Sequence, residues 1–446
     1  MNERVKIKTL DKNSRINNFD EVDIGYSDCD AKMEASRCLQ CKNPRCVKGC
    51  PVGVMIPEFI KQIVNNDIDK AYEIILESSS LPAICGRVCP QEKQCEKMCI
   101  RGLKGDAIAI GALERYVADN NTLVDNFNIK KNGKKVAIIG SGPSGLSCSY
   151  DLVKNGYDVT IYEVLHKAGG VLTYGIPEFR LPKKIVNKEI DKLKKMGVKI
   201  ITDVPVGNAI TIDDLKNEYD FVYIATGAGV PKFMGIEGEY ANGVFSANEI
   251  LTRINLMNAY KNSNTPIKKG NIVYVIGGGN VAMDAARCLR RLGMEVHLMY
   301  RRSMDEIPAR RMEVNHAIEE GIIFDVLKLP KEIIVDNDNN VGGMKVVNMI
   351  LGDKDESGRC SVYEDKDAIY EIECDMVVMA LGTNINHEAI KDTNIKLNDK
   401  GLIITSDSQT SMNNVYAGGD VVTGSATVIL AMAAGKKAAL KIIESI

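Results

Sequence analysis

The chain has 446 residues, of which 45% are hydrophobic, and its formal net charge at pH 7 is −2. This length predicts two or three domains, each with a core of ordinary size. The nearly neutral charge excludes a strongly basic nucleic-acid-binding face, and the lack of an apolar run of about 18 residues excludes a membrane span. The charged segment 1–13 has no apolar region of the signal-peptide kind, which predicts a cytoplasmic protein.

The first part of the chain predicts a helical domain over residues 1–125, with an irregular lead-in at 1–30. Apolar residues recur at helical spacing in IPEFIKQIVNNDIDKAYEIILESS, where Asp67 is placed to cap a second helix. The polar segment 121–134 predicts a linker to the next domain.

Eight cysteines in this region form two runs. The first run is Cys38, Cys41, Cys46 and Cys50, and the second is Cys85, Cys89, Cys95 and Cys99. Sets of four thiolates bind zinc or iron–sulfur clusters. The first run ends in a proline after its last cysteine, as in bacterial two-cluster ferredoxins, where that cysteine serves the other cluster; its middle gap of four residues departs from their spacing. The pattern therefore favours two [4Fe-4S] clusters, with zinc sites and disulfides as the alternatives.

From residue 135 the pattern changes to that of an α/β protein. KKVAIIGSGPSG predicts a buried strand, a glycine turn and a helix, and YDVTIYE predicts a second strand. Glu163 ends that strand, where it can accept a hydrogen bond from a ribose hydroxyl. Such a unit predicts a dinucleotide site. Its predicted contacts in the turn are Gly140, Gly142, Pro143, Ser144 and Gly145.

The same unit recurs near residue 271 as NIVYVIGGGN followed by a helix and a strand. Arg301 and Arg302 end this second strand, at the place of Glu163 in the first unit. Because a 2′-phosphate attracts guanidinium groups, this pair predicts NADPH rather than NADH. The predicted contacts in the turn are Gly277, Gly278, Gly279, Asn280, Val281 and Ala282.

The cysteine segments RCLQCKNPRCVKGCPV and LPAICGRVCPQEKQCEKMC resemble the N-terminal segment of glutamate synthase small (beta) subunits. The same segment occurs in the large subunit of NADH-dependent ferredoxin:NADP oxidoreductase and in the N-terminal part of dihydropyrimidine dehydrogenase. The resemblance implies that the ligands interleave, with Cys38, Cys41, Cys46 and Cys99 on one cluster. It implies Cys50, Cys89, Cys95 and Glu114 on the other. Cys85 is then left in a packing role, and its use as a ligand in place of Glu114 is the open alternative.

The resemblance continues through GGVLTYGIPEFRLPK and the VYAGGD turn, and it covers the chain from about residue 30 onward. It implies an α/β fold with two Rossmann-like domains after the cluster domain, in the manner of disulfide reductases. The NADPH domain (251–374) would be inserted into a FAD domain formed by 135–250 and 375–446. Glu306, Pro308 and Arg310 are expected near the NADPH site. The implied FAD contacts are Gly170, Leu172, Arg180, Gly419, Asp420 and Thr427, the last at the start of a helix aimed at the flavin.

These features together imply that NADPH reduces FAD and that electrons then pass singly through the clusters to a partner. No side chain is expected to act as a catalytic acid or base. The resemblance implies a larger glutamate synthase subunit as partner, which makes glutamate from glutamine and 2-oxoglutarate. The alternatives are an electron-bifurcating enzyme with a smaller flavoprotein subunit and ferredoxin, and a scaffold that only holds clusters. Neither nucleic acid nor a membrane is expected as a partner.

Overall fold

The computed structural model describes residues 3–123, 128–261, 263–268, 270–356 and 358–445. Part of the linker predicted at 121–134, residues 124–127, lies outside the described residues. In the described ranges no helix is both long enough and apolar enough to cross a membrane.

The region before residue 121 is mainly helical, as the sequence predicts. The Asp67 carboxylate caps its fifth helix as predicted, because it accepts a hydrogen bond from Lys70 N at 3.0 Å. Two short strands, β1 (Lys8–Thr9) and β2 (Asp23–Gly25), pair antiparallel. The helices are α1 (Lys12–Arg15), α2 (Asp28–Ala35), α3 (Arg45–Lys48), α4 (Ile56–Val64), α5 (Ile68–Leu76), α6 (Pro82–Val88) and α7 (Ile110–Asn120), with 3-10 turns at Gln91–Lys93 and Ile100–Leu103.

The lead-in predicted to be irregular is so only in part of its described residues. Besides β1, α1 and β2, this segment makes long-range contacts: Val22 N donates to Phe179 O at 2.9 Å, and Phe19 stacks on Tyr260 at 4.2 Å between ring centroids. Such short polar elements carry no periodicity, because tertiary contacts rather than local propensity hold them.

A buried ion network fixes the lead-in to the second nucleotide-binding unit. The Glu320 side chain is fully buried and pairs with Arg15 (3.2 Å), Arg287 (2.8 Å) and Arg291 (2.6 Å). Burial raises the pKa of the Glu320 carboxyl, but Arg287 and Arg291 outweigh that effect and lower it to about 2. Arg15 also pairs with the exposed Glu319.

Beyond the linker, strands and helices alternate. The strands are β3 (Lys135–Ile139), β4 (Asp158–Tyr162), β5 (Lys199–Ile201), β6 (Phe221–Ile224), β7 (Val230–Pro231), β8 (Val244–Ser246), β9 (Ile272–Ile276), β10 (Glu295–Tyr300), β11 (Ile323–Val326), β12 (Lys328–Val335), β13 (Val341–Lys354), β14 (Cys360–Glu373), β15 (Met376–Met379), β16 (Thr383–Asn384) and β17 (Val415–Ala417). The helices are α8 (Pro143–Lys154), α9 (Val171–Tyr174), α10 (Lys183–Lys195), α11 (Ile212–Glu218), α12 (Ala247–Leu251), α13 (Asn280–Arg291), α14 (Arg311–Glu319), α15 (Asp420–Thr423) and α16 (Val428–Glu444). Single turns of 3-10 or π type occur at Thr252–Leu256, Met304–Glu306 and Glu388–Ile390.

The strands form two parallel five-stranded sheets, with orders β17-β6-β3-β4-β5 and β11-β10-β9-β15-β8. Since β17 follows the second sheet in the chain but pairs with β6, the first sheet is built from two distant segments. This confirms the predicted fold class of a helical cluster-binding region followed by two Rossmann-like units. The second sheet also takes in β8 and β15, which lie beyond the limits 251–374 that the sequence suggested for its domain.

A further antiparallel sheet, β12-β13-β14, is attached to the second unit. The first sheet shares one hydrophobic core with the helical region, in which α8, α16 and α6 all take part. The helical region therefore packs directly on the first nucleotide-binding unit.

Candidate functional site

The first glycine turn joins β3 to α8 with open space in front of the helix. Gly140 has φ +103°, and a Cβ there would lie 2.5 Å from Ala225 O. A Cβ on Gly145 would lie 2.0 Å from Gly140 O, which only glycine permits. A Cβ on Gly142 would instead meet no described atom within 4 Å, and Gly142 begins the helix at Pro143. A helix N-terminus beside open space suits a pyrophosphate group.

Glu163 braces this turn. Its carboxylate accepts hydrogen bonds from Ser141 N (2.9 Å), Ser141 Oγ (2.5 Å) and Leu165 N (2.9 Å), and the side chain is buried. Ser141 Oγ in turn accepts from Gly169 N at 2.9 Å, so the turn is tied to the next predicted contact segment. A ribose contact of Glu163 stays a prediction.

The other predicted FAD contacts gather around the same turn. Gly170 lies against Gly142, because a Cβ on Gly170 would come within 2.9 Å of Gly142 Cα. Gly419 lies against Ser144 in the same way, because a Cβ on Gly419 would lie 3.0 Å from Ser144 Cβ. Leu172 follows Gly170 in α9 and is fully buried.

Asp420 and Thr427 lie at the start of the last two helices. Thr427 caps α16 by accepting from Leu430 N at 3.4 Å, as expected for a helix that starts there. Burial raises the pKa of Asp420 to about 6, and its carboxyl accepts from Ala426 N at 3.2 Å. Tyr174, which sequence reasoning missed, lies near both Asp420 and Glu163, and burial raises its pKa to about 12. Its only sequence signal was its place in the segment 169–183.

Arg180 has its ion pairs with the second nucleotide-binding unit, and its contact with FAD stays a prediction. Its guanidinium pairs with Asp284 at 2.6 Å and with Glu313 at 3.0 Å, and all three side chains are buried. Asp284 lies in α13 and Glu313 in α14, so Arg180 bridges the two nucleotide-binding units. The expectation that Arg180 contacts FAD came from the resemblance alone, which gave no sign of these acidic partners.

The second glycine turn repeats the geometry of the first. Gly277 has φ +141°, and a Cβ on Gly279 would meet no described atom within 4 Å in front of α13. Asn280 Oδ1 accepts from Arg310 N at 2.9 Å, which ties the turn to the segment after β10. Gly278 packs against the Tyr300 ring, because a Cβ on Gly278 would lie 2.8 Å from the ring carbons. Val281 is 40% exposed and Ala282 is fully buried.

The predicted 2′-phosphate arginines follow β10. Arg301 is exposed, whereas Arg302 is half-buried and donates from Nε to Cys360 O at 2.9 Å. Glu306 accepts from Cys360 N at 2.8 Å, so both residues also hold the start of β14.

Pro308 and Arg310 connect the second unit to the cluster region. Pro308 O accepts from Lys93 Nζ at 2.6 Å. Arg310 donates to Arg87 O at 2.9 Å and to Gln91 Oε1 at 3.0 Å. These contacts were not foreseen, because they join positions more than 200 residues apart in the sequence.

The cysteines sort into two neighbourhoods that draw on both runs. In the first, Cys38 interacts electrostatically with Cys41 and Cys99, and Cys46 with Cys38 and Cys99. All four thiols line one cavity and are half-buried. Burial raises the pKa of the Cys46 thiol to about 11. We call these four residues the outer set.

The second neighbourhood contains Cys50, Cys89, Cys95 and Glu114, which we call the inner set. Cys95 interacts with Cys50 and Glu114, and Cys89 with Cys95 and Glu114. Burial raises the pKa of Glu114 to about 8, and burial likewise raises the pKa of Cys95. Thiols and a carboxyl whose pKa values are raised in this way are donors that a positively charged iron centre would stabilise as anions.

Cys85 lies beside the inner set. It interacts with both Cys89 and Cys50, and its thiol donates to Met432 Sδ of α16 at 3.4 Å. The predicted packing role therefore has a definite partner, while its closeness to Cys89 leaves the ligand alternative open.

Within the described ranges, no three His, Cys, Asp or Glu side chains converge closely enough to hold a single metal ion. A four-iron cluster needs no such convergence, because its thiolates each bind a different iron atom.

Two family descriptions match the chain. Residues 15–125 match dihydropyrimidine dehydrogenase domain II with its 4Fe-4S cluster, and residues 134–435 match the pyridine nucleotide-disulphide oxidoreductases. Among solved structures, Mycobacterium tuberculosis FprA in complex with NADPH has a TM-score of 0.60 at 19% identity, over 70% of this chain and 84% of that one. Thioredoxin reductase of T. acidophilum gives 0.52 at 22% identity, over 70% and 99%. These likenesses show the fold.

Curated relatives are closer in sequence. The glutamate synthase [NADPH] small chain of Escherichia coli K12 is 36% identical over 94% of this chain and 92% of its own length. The NADP(+)-dependent formate dehydrogenase subunit beta of Moorella thermoacetica is 38% identical over 89% of this chain, which spans 59% of that protein. The match to the glutamate synthase small chain is nearly full-length. The cysteine motif and the two nucleotide-binding units of this chain are the features expected of that family. The chain belongs to the glutamate synthase small-chain family of iron–sulfur, pyridine-nucleotide-dependent flavoprotein oxidoreductases.

Proposed function

We propose that this protein takes electrons from NADPH and delivers them, through FAD and two [4Fe-4S] clusters, to a partner subunit. The observation that carries the proposal is the sorting of the eight predicted ligands into an outer and an inner set, on the same chain as two open glycine turns. Bound flavin supplies the step from two-electron to one-electron chemistry.

The residues divide this work by position. The first turn, with Gly142, would hold the FAD pyrophosphate, and the N-terminal end of α15 lies beside it through Gly419 and Ser144. The second turn, with Gly279, would hold the NADPH pyrophosphate, and Arg301 and Arg302 would bind the 2′-phosphate. The corresponding domains are 1–125 for the clusters, 135–250 with 375–446 for FAD, and 251–374 for NADPH, except that β8 and β15 belong to the sheet of the NADPH domain.

An anaerobic titration tests the proposal. NADPH is expected to bleach the flavin absorbance and then to produce EPR signals from two reduced clusters. A protein with bound flavin that stays oxidised in excess NADPH would contradict the electron-transfer role and leave the scaffold alternative. One cluster signal and half the iron would contradict the two-cluster assignment.

The coenzyme choice has its own test. The double variant Arg301→Ala with Arg302→Ala is expected to weaken NADPH binding by at least tenfold while changing NADH binding little, because only NADPH carries the 2′-phosphate. Lys184→Ala with Lys188→Ala removes two exposed cations from α10 as the matched control. Equal losses for the two coenzymes would contradict the phosphate role.

For the partner, we propose the larger subunit of a glutamate synthase, which makes glutamate from glutamine and 2-oxoglutarate. The support is the nearly full-length match to small chains of that enzyme in Escherichia coli and Halomonas elongata. Purification of the untagged native complex is expected to yield a much larger second subunit, together with NADPH- and glutamine-dependent glutamate formation. A smaller flavoprotein in its place would instead identify a bifurcating enzyme that uses ferredoxin.

A further inference from the structure

The two cysteine sets lie at different depths. Cys89 and Cys95 of the inner set are buried, and Cys50 is half-buried. Their neighbour Cys85 is buried and contacts Met432 of α16, in the unit that carries the first glycine turn. All four thiols of the outer set are half-buried and line a cavity at the surface. The inner set therefore faces the flavin unit, and the outer set faces outward.

Apolar side chains are exposed around the outer set. Leu39 is 53% exposed and Ile100 is 37% exposed, and both line the same cavity as the four thiols. Leu103, three residues beyond Ile100, is 73% exposed. Contiguous exposed apolar side chains next to a functional centre are typical of a protein–protein contact.

Basic side chains surround this apolar centre. The segments 37–50 and 97–105, which carry the outer set, contain seven Lys or Arg residues and no Asp or Glu, in a chain of net charge −2. Arg37 is buried and paired with Glu34. The other six form what we call the basic collar: Lys42, Arg45, Lys48, Lys97, Arg101 and Lys104, all exposed except the half-buried Arg101.

The acids that flank the collar do not cancel it. Glu96 is buried and forms an ion pair with Arg4. Asp106 is exposed and keeps its negative charge, since its partner is the uncharged Arg4 N at 3.0 Å, and one carboxylate leaves the six collar cations in excess. Arg101 is close enough to Cys38 to act on its thiol electrostatically, so the positive charge extends to the rim of the cavity.

We propose that the basic collar and its apolar centre are the docking surface of the electron-accepting protein, and that this acceptor presents an acidic rim around an apolar patch over its own redox centre. The proposal rests on the proposed function and adds the exit point and the charge of the acceptor. An apolar centre with a charged rim is the usual anatomy of a specific interface, and opposite charges raise association rates by about 10- to 1,000-fold at low salt. One electron leaves at a time, so NADPH and two oxidised acceptors give NADP⁺, H⁺ and two reduced acceptors.

Two haem proteins of opposite charge serve as probes: acidic cytochrome b5 and basic cytochrome c. The test uses the full-length holoprotein with NADPH and follows haem reduction from low to high ionic strength. The collar variant carries Lys42→Glu, Arg45→Glu and Lys104→Glu. The control variant carries Lys184→Glu, Lys188→Glu and Lys216→Glu, three exposed lysines in α10 and α11, and has the same net charge.

For the wild type, the rate constant for cytochrome b5 is expected to fall with added salt. In the collar variant it should fall at least tenfold at low salt, with a matching loss of cytochrome b5 affinity by calorimetry, whereas the control variant should change less than threefold. Cytochrome c should show the opposite salt effect. The proposal is overturned if the two variants lose rate and affinity equally, if the collar variant behaves like wild type, or if cytochrome b5 is not reduced by wild-type protein whose flavin NADPH does bleach.

Two further readouts separate this proposal from the proposed function. NADPH-dependent bleaching of the flavin and the EPR signals of the clusters should be the same in wild type and the collar variant. If NADPH bleaches no flavin in any form, the proposed function fails; the collar is then judged by cytochrome b5 affinity alone, which needs no NADPH. If the EPR signals are lost in the collar variant only, the collar residues support the clusters themselves, and the docking role is overturned.

Discussion

Glu320 offers a stringent test of how the lead-in is held. Replacing it by glutamine keeps the shape of the side chain but removes the carboxylate that Arg15, Arg287 and Arg291 share. Arg15 and Arg287 each keep a second partner, Glu319 and Glu313 respectively. The Glu320 side chain is fully buried, so water cannot take over the lost interaction.

The expected cost follows from the pKa. The arginines lower the pKa of Glu320 from 4.5 to about 2. At 1.36 kcal/mol for each pKa unit, neutralising this group costs about 3 kcal/mol at pH 7. That agrees with the roughly 3–5 kcal/mol found when one partner of a buried ion pair is removed.

Hydrogen exchange measured by mass spectrometry provides the assay. Peptides that cover α13 and α14 should exchange about 100-fold faster in Glu320→Gln than in wild type, because local opening becomes easier by about 3 kcal/mol. Glu319→Gln is the control, since Glu319 is 54% exposed and pairs only with Arg15 among the ion pairs of the described residues. Its effect should stay below about 1 kcal/mol. Equal exchange rates in the two variants would refute the view that Glu320 organises the network.

Three other predictions concern pH and the cofactors. Because the pKa of Glu320 is lowered on folding, its stabilisation is present above pH 4.5 and is lost as pH falls toward 2, so acid should release α13 and α14 first in wild type. When unfolding is followed by hydrogen exchange, Glu320→Gln should reduce this pH dependence and leave the part that is due to Glu313, whose pKa is also lowered to about 2. Gly145→Ala is expected to lose most FAD, measured by absorbance after desalting, because its Cβ would lie 2.0 Å from a backbone oxygen; full retention would contradict the tight turn. Cys89→Ala should lose the inner cluster, as measured by iron analysis and EPR, while Cys85→Ala should keep both clusters. Iron loss in Cys85→Ala with none in Glu114→Ala would show that Cys85, and not Glu114, is the fourth ligand of the inner cluster.

Much of the site could be predicted because its signals are local. The glycine turns need particular residues at fixed spacing, since only a missing side chain allows the chain to approach itself so closely at Gly145. The interleaving of the cysteines came from the family resemblance, because spacing alone would pair each run with itself. The structure brings the residues together in those interleaved sets.

The rest depends on contacts between distant segments. Arg180 lies in a segment that resembles a flavin-contacting one, yet its charge is neutralised by Asp284, 104 residues away. Arg310 likewise contacts the cluster region across 219 residues. No periodicity or spacing encodes such pairs, because they arise only when the two surfaces are packed against each other. The same reason hid the order of the lead-in.

The interleaved sets also constrain how the protein matures in the cell. Each set takes residues from both segments, so no cluster could be completed while only the first 50 residues had been synthesised. The inner set also needs Glu114, which lies in the helix that ends this region at Asn120. Iron would therefore have to be inserted after the whole region has been made and folded, and the half-exposed outer set remains within reach of a delivery protein for longer than the buried inner one.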